Sequence, residues 1–170
     1  NLLLRDLDEL VNQQLSKMLF ANPQRIDYYD RYQEIIDAYN AEQNRATIEK
    51  TFMDLMELAS SLDTEQQRYV REGFSSDEEL SVYDLLFSEN LTKQEIETIK
   101  KVSVDLLTKI KQQIAKLDHW TDKQETKAIV DNLIRNTLWQ ELPNSYDVSD
   151  IQTYQKKIYE YVYMRYPEVA

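Results

Sequence analysis

The chain has 170 residues, 42% of them hydrophobic, and a formal net charge of −11; this suits one ordinary domain or two small ones with a packed core. It has no cysteine and a single glycine, Gly73, which excludes disulfides, cysteine-ligated zinc and glycine-rich phosphate loops, and argues against a sheet-rich fold. No apolar run approaches the roughly 20 residues that a membrane-spanning helix needs, no signal peptide is visible, and because the first residue is Asn1 we expect a piece of a longer polypeptide.

Apolar residues recur at helical spacing along most of the chain, with capping residues before each run and glycine or proline after several of them. The Ser76 and Thr92 positions each begin a capping box, and Gly73 suits a left-handed helix end. The predicted helices, in chain order, cover Leu2 to Phe20, about Asp27 to Asn40, a segment after Thr47, a short segment from Asp63 to Gly73, about Asp77 to Ser88, about Lys93 to Leu117, a segment begun by Thr121 and ended by Pro143, and a last helix from Ser149 or Asp150 to about Tyr166.

The clearest amphipathic stripe lies in the predicted long helix. Its apolar residues are separated by three, four and seven positions, which places them on one helical face. They are Ile96, Ile99, Leu106, Ile110, Ile114 and Leu117. The sequence therefore predicts an all-α fold, an irregular helical bundle of about seven or eight helices.

Carboxylates are abundant, with 31 Asp and Glu, but their abundance alone predicts chance pairs rather than a catalytic site. His119 is the only histidine, so a multi-histidine metal site is excluded. Asp118 or Asp122, followed by Glu125 and Lys127, imitates the acidic set of metal-dependent nucleases. That set works on a strand, whereas on a helix residues two apart are rotated by about 200° and face away from each other. We therefore predict no catalytic, cofactor-binding or metal-binding residues in this chain.

Basic residues concentrate in one segment. Lys93 to Arg135 holds nine Lys and Arg against seven Asp and Glu. The segment could form a weakly basic ridge that contacts DNA, or it could be an ordinary solvated helix face, which the acidic charge of the whole chain favours. The candidate weak DNA contacts are Lys100, Lys101, Lys111, Lys116, Lys123 and Lys127.

Tyrosine is unusually common, with 12 in the chain, and the last predicted helix carries it on two faces. One face can meet the core, and the other is a candidate protein interface, where tyrosine supplies contact area and a hydroxyl. Alternatively, both faces are internal to the bundle. The candidate interface residues are Tyr154, Tyr159, Tyr161, Tyr163 and Tyr166.

Several segments, taken together in their order and spacing, carry a family resemblance. They are Tyr32 to Asn40, Phe52 to Ala59, Arg71 to Leu80 with Tyr83 to Leu86, Leu91 to Glu95, Trp120 with Ile129 and Val130, Leu142 to Tyr146, and Tyr159 to Tyr163. In this order they resemble the C-terminal helical domain of the motor (R) subunit of type I restriction-modification enzymes. The resemblance spans about Tyr32 to Tyr166, and residues 1–30 show no recognised motif.

The resemblance implies that the parent chain is an ATP-dependent endonuclease and DNA translocase, and that this fragment of it has no catalytic activity of its own. The family has nuclease and motor domains elsewhere in the parent chain. Its nuclease and motor motifs are absent here, so ATP and Mg are implied only for the parent chain and no cofactor is expected in the fragment. Residues 1–30 are expected to form an N-terminal helix that could link to the upstream motor region, and residues 31–170 the C-terminal helical domain. The implied role is to dock the motor onto the methyltransferase core, and an auxiliary DNA-contact module is the alternative. The implied partners are the methyltransferase (M) and specificity (S) subunits, and DNA through the parent complex, in the bacterial cytoplasm and without a membrane.

Overall fold

The structure, a computed structural model, describes residues 2–168, and within that range it contains helices and no β-strand. The prediction of an all-α helical bundle is confirmed. The described residues contain eight α-helices and two short 3₁₀ turns. In chain order they are α1 (Leu2–Ala21), a turn at Pro23–Arg25, α2 (Ile26–Ala41), α3 (Arg45–Gln66), α4 (Arg68–Arg71), α5 (Asp77–Leu86), α6 (Lys93–Ala115), a turn at Trp120–Asp122, α7 (Gln124–Glu141) and α8 (Val148–Arg165).

The chain divides into two compact units, one ending at Ser81 and the other beginning at Val82. We call them unit 1 and unit 2. The division falls within α5. It follows the internal contacts of the chain, and the domain boundary predicted between residues 30 and 31 stays a prediction.

In unit 1, α1, α2 and α3 pack against one another in all three pairs. Each helix has an apolar stripe at helical spacing, and these stripes meet in the interior. The Asn44 side chain begins α3 by accepting a hydrogen bond from the Thr47 backbone N–H at 2.9 Å. The buried core consists of Leu4, Val11, Leu15, Met18, Tyr32, Leu55, Leu58 and Leu62.

In unit 2, α7 packs against both α6 and α8. The stripe predicted on α6 is buried from Ile99 to Ile114, whereas its end members Ile96 and Leu117 are partly exposed. The predicted Thr92 capping box is present, because the Thr92 side chain accepts from the Glu95 N–H and the Glu95 side chain accepts from the Thr92 N–H. A regular stripe and a capping box therefore define this helix as the sequence predicts.

Four predicted helix starts are wrong. The third helix begins at Arg45 rather than after Thr47, because the Asn44 side chain caps it. Asp63 does not begin a new helix, because α3 continues through Leu62 to Gln66 with its buried face unbroken, and the Asp63 side chain instead accepts a hydrogen bond from Gln14 at 2.9 Å. Thr121 lies in a 3₁₀ turn before α7. The last helix is capped by Asp147 rather than by Ser149 or Asp150, because Asp147 and Asp150 form a reciprocal capping box.

Candidate functional site

Two tyrosines of α8 contact Trp120, whose side chain is fully buried. The Trp120 ring meets the rings of Tyr159 and Tyr163 edge-on, with centroid separations of 6.1 and 5.8 Å. Its indole N–H donates a 2.7 Å hydrogen bond to the backbone carbonyl of Tyr166. Tyr161 is 3% exposed and Tyr163 38% exposed. Three candidate tyrosines, Tyr159, Tyr163 and Tyr166, therefore contact one tryptophan, and a role for any of the candidates in an interface stays a prediction.

Basic side chains also contact two of the candidate tyrosines. The Arg165 guanidinium lies 4.5 Å from the centroid of the Tyr161 ring, and the Lys157 ammonium lies 5.7 Å from that of Tyr154. Such contacts stabilise a cation over an aromatic face. Burial lowers the pKa of Arg165 below its ordinary value. The fifth candidate, Tyr154, is partly buried and its ring lies 5.5 Å from that of Tyr146.

The six candidate lysines do not form one line on the surface. On α6, helical periodicity places Lys100 and Lys111 on one side, with Lys101 roughly 100° and Lys116 roughly 160° around the axis from Lys100. Lys100 lies over the Tyr83 ring at 5.9 Å and Lys111 over the Tyr166 ring at 5.5 Å.

The remaining candidate lysines lie at or near the start of α7. Lys123 is exposed at the position before the helix, and Lys127 is partly exposed within its first turns. A DNA-contact role for any of these lysines stays a prediction. DNA that contacted all six would have to reach different faces of α6 as well as the start of α7.

His119 has a left-handed backbone, with φ at 47°, in the turn before Trp120. Its side chain is 61% exposed, and its Nε2 lies 3.4 Å from a carboxylate oxygen of Asp118. Glu125 and Lys127 lie on α7, two residues apart on a helix. Within residues 2–168, no group of three or more histidine, cysteine, aspartate or glutamate side chains is arranged to hold a metal ion.

A buried charged cluster that the sequence analysis missed lies in unit 1, around Arg25. The Arg25 guanidinium donates to Glu65 at 2.9 Å, to both oxygens of Asp77 at 2.5 and 3.0 Å, and to the Met18 carbonyl at 3.3 Å. Glu65 also accepts two hydrogen bonds from Arg68, at 2.8 and 3.0 Å. Burial lowers the pKa of Arg25, but the hydrogen bonds and charges of Asp77 and Glu65 outweigh it and raise the pKa above its ordinary value. The cluster therefore connects the turn that follows α1 with two other parts of unit 1, which are α3 and the start of α5.

Large apolar side chains also remain exposed on α1 and α3. Leu3 and Leu10 are 70% and 64% exposed, and Met53 is 70% exposed. The same two helices supply buried residues to the core, such as Leu4 and Leu55, so their apolar residues extend from the interior onto the surface. Contiguous exposed apolar surface is typical of protein-interaction sites.

The sequence model of the family described as "Type I restriction enzyme HindI endonuclease subunit-like, C-terminal" matches residues 1–166. The match includes the α1 segment, to which the sequence analysis assigned no motif. No curated protein and no solved structure matches the chain.

Proposed function

This chain belongs to the family of type I restriction enzyme HindI endonuclease subunit-like C-terminal regions, and on that premise we propose that it is a non-catalytic assembly domain. In this proposal it docks the motor subunit of the restriction enzyme onto the methyltransferase core. Nuclease activity, ATP hydrolysis and the Mg they use belong to the rest of the parent chain, in the bacterial cytoplasm. Within residues 2–168, none of the helices combines the length and apolar character needed to cross a bilayer.

The observation that supports protein docking most strongly is the pairing of acidic charge with exposed apolar side chains. A net charge of −11 opposes encounter with DNA, because phosphate binding depends on Lys and Arg. Exposed apolar groups such as Leu10 and Met53 have little use in a phosphate contact, but they contribute to the centre of a protein interface.

The alternative is an auxiliary DNA-contact module in the α6–α7 region. The excess of nine basic over seven acidic residues in Lys93 to Arg135 supports it. Lys101, Lys116 and Lys123 are exposed there. Lys109, by contrast, lies 3.0 Å from Asp105 and 3.1 Å from Glu141, so part of the basic charge is already neutralised.

A binding experiment at two salt concentrations separates the two functions. The chain is immobilised and exposed to purified methyltransferase core, with or without the specificity subunit, and in parallel to duplex DNA. We expect core binding that changes little with salt. Steeply salt-dependent DNA binding without core binding would instead support the DNA-contact module.

Enzymatic assays test the non-catalytic part of the proposal. The purified chain is expected to hydrolyse no ATP and to cut no DNA in the presence of Mg. ATP hydrolysis or DNA cleavage that co-purifies with the chain, and that a substitution in the chain abolishes, would contradict the non-catalytic part of the proposal. It would leave the docking result unaffected.

A further inference from the structure

The apolar face of α1 is wider than the part of it that the core of unit 1 buries. Leu4, Val11, Leu15 and Met18 are buried in the core. Leu3, Leu7 and Leu10 follow one another at spacings of four and three along the edge of this buried stripe, where Leu7 is partly buried and packs against the core. Leu3 and Leu10 are mostly exposed.

The α3 helix adds apolar residues beside this edge, of which Ile48, Phe52 and Ala59 are partly buried against the core and Met53 is exposed. One hollow is lined by Leu3 together with Ile48, Phe52 and Met53, and the next by Leu7 and Leu10 together with Ala59 and Asp63. We call the combined surface the α1–α3 groove, lined by Leu3, Leu7 and Leu10 of α1 and by Ile48, Phe52, Met53 and Ala59 of α3.

The two hollows of the α1–α3 groove together span a length that suits a helix. Residue numbers increase together along its two sides, from Leu3 beside Phe52 to Gln14, which donates to Asp63. The two helices are therefore parallel, and the groove extends about 17 Å at 1.5 Å per residue, which is about three helical turns. A groove of this length accepts an amphipathic helix that presents apolar residues at positions i, i+3 or i+4, and i+7. Flexible methionine at Met53 suits such a surface.

The charge of unit 1 selects the occupant. Residues up to Ser81 include 17 acidic and 8 basic side chains, a net charge of −9. The residues that line the two hollows include two acidic side chains, Glu49 and Asp63, and one basic side chain, Lys17. A second copy of unit 1 would bring the same excess of negative charge, and DNA would bring phosphates, so both are repelled. A helix with basic flanks is attracted.

We propose that the α1–α3 groove is where the methyltransferase core docks, through an amphipathic helix with an apolar ridge between Lys and Arg flanks. This rests on the proposed function and names its surface. The apolar ridge would cover Leu3, Leu10 and Met53, and the basic flanks would face Glu49 and Asp63.

The test uses the full chain with the double substitution Leu10→Ser and Met53→Ser. Both side chains are more than 60% exposed, so the fold should be retained, which far-UV circular dichroism checks. The matched control is Met164→Ser on α8, a side chain of similar exposure, 63%, outside the groove. We expect the double variant to lose about tenfold or more in affinity for the purified methyltransferase core, as removal of interface anchors does, and the control to bind as the original chain does.

A second variant tests the charge component. Glu49→Lys reverses one carboxylate of the groove lining, and we expect slower association with the core and a changed salt dependence. If the core binds the original chain and both groove variants equally well, the groove assignment is overturned while the docking function stands.

If the core does not bind the original chain, both the docking function and the groove assignment fail. Loss of self-association or of DNA binding in the double variant, with core binding unchanged, would assign the groove to a second copy or to DNA instead.

Discussion

Replacing Arg25 by alanine tests the buried charged cluster of unit 1. Arg25 is 3% exposed and donates to Glu65, Asp77 and the Met18 carbonyl. Removing one member of a buried ion pair costs about 3 to 5 kcal/mol, because the remaining charge stays buried without its partner. Glu65 keeps Arg68 and the side chain of Asp77 is 33% exposed, so we expect the lower end, a loss of about 3 kcal/mol in the free energy of unfolding.

Denaturant titration measures this loss, and two optical signals separate the units. Far-UV circular dichroism reports helix throughout the chain. Both tryptophans, Trp120 and Trp139, lie in unit 2, so tryptophan fluorescence reports that unit. The dichroism transition of Arg25→Ala should move to lower denaturant, whether or not the fluorescence transition moves with it.

The matched control is Arg45→Ala, because the Arg45 side chain is 93% exposed and pairs only across one helical turn with Glu49 at 3.2 Å. An exposed pair of this kind contributes less than about 0.5 kcal/mol. If Arg25→Ala shifts the dichroism transition no more than Arg45→Ala does, the cluster does not stabilise unit 1 as argued.

Three further predictions concern single groups. Burial raises the pKa of Glu65, but hydrogen bonds from its two arginine partners outweigh it and leave the pKa below the ordinary 4.5. The ionised Glu65 therefore stabilises the fold above that pH, and this stabilisation is lost as the pH falls below it. Between about pH 6 and about pH 3, the free energy of unfolding should decrease less steeply for Glu65→Gln than for the original chain. Tyr146→Phe should cost about 1 to 2 kcal/mol by tryptophan fluorescence, because the buried Leu86 carbonyl loses its hydroxyl donor; a neutral result would mean that water replaces the hydroxyl. Asn44→Ala should cost about 1 kcal/mol by circular dichroism, since it removes the cap of α3, whereas Asn44→Asp should cost little.

The helices could be predicted because their signals are local. The α6 stripe from Ile99 to Ile114 and the capping box at Thr92 depend on residues within one or two turns of each other, and the structure has both. Gly73 has the positive φ of 85° expected of a left-handed helix end. The error at Asp63 arose because an aspartate suits a helix start and a helix interior alike when its side chain finds a partner, here Gln14 on another helix.

The buried cluster could not be predicted, because its members are far apart in the sequence. Arg25 is 40 residues from Glu65 and 52 from Asp77. A lone arginine after Pro23 has the pattern of a surface residue, and no spacing rule links it to its partners. The tyrosines posed the same difficulty: helical spacing showed two aromatic faces on α8, but only the position of Trp120 decides which rings meet it.

The regular spacing of the exposed leucines on α1 distinguishes them from ordinary surface apolar residues. Single exposed apolar side chains are common and need no explanation, and Val148 and Met164 on α8 are of this kind. Leu3 and Leu10, by contrast, lie seven residues apart on either side of the partly buried Leu7, and they face apolar residues of α3. Sequences tend to depart from the pattern that folding alone requires at the sites that function uses. The exposed Leu3 and Leu10, beside the exposed Met53, therefore support the proposal that the α1–α3 groove meets a second protein surface.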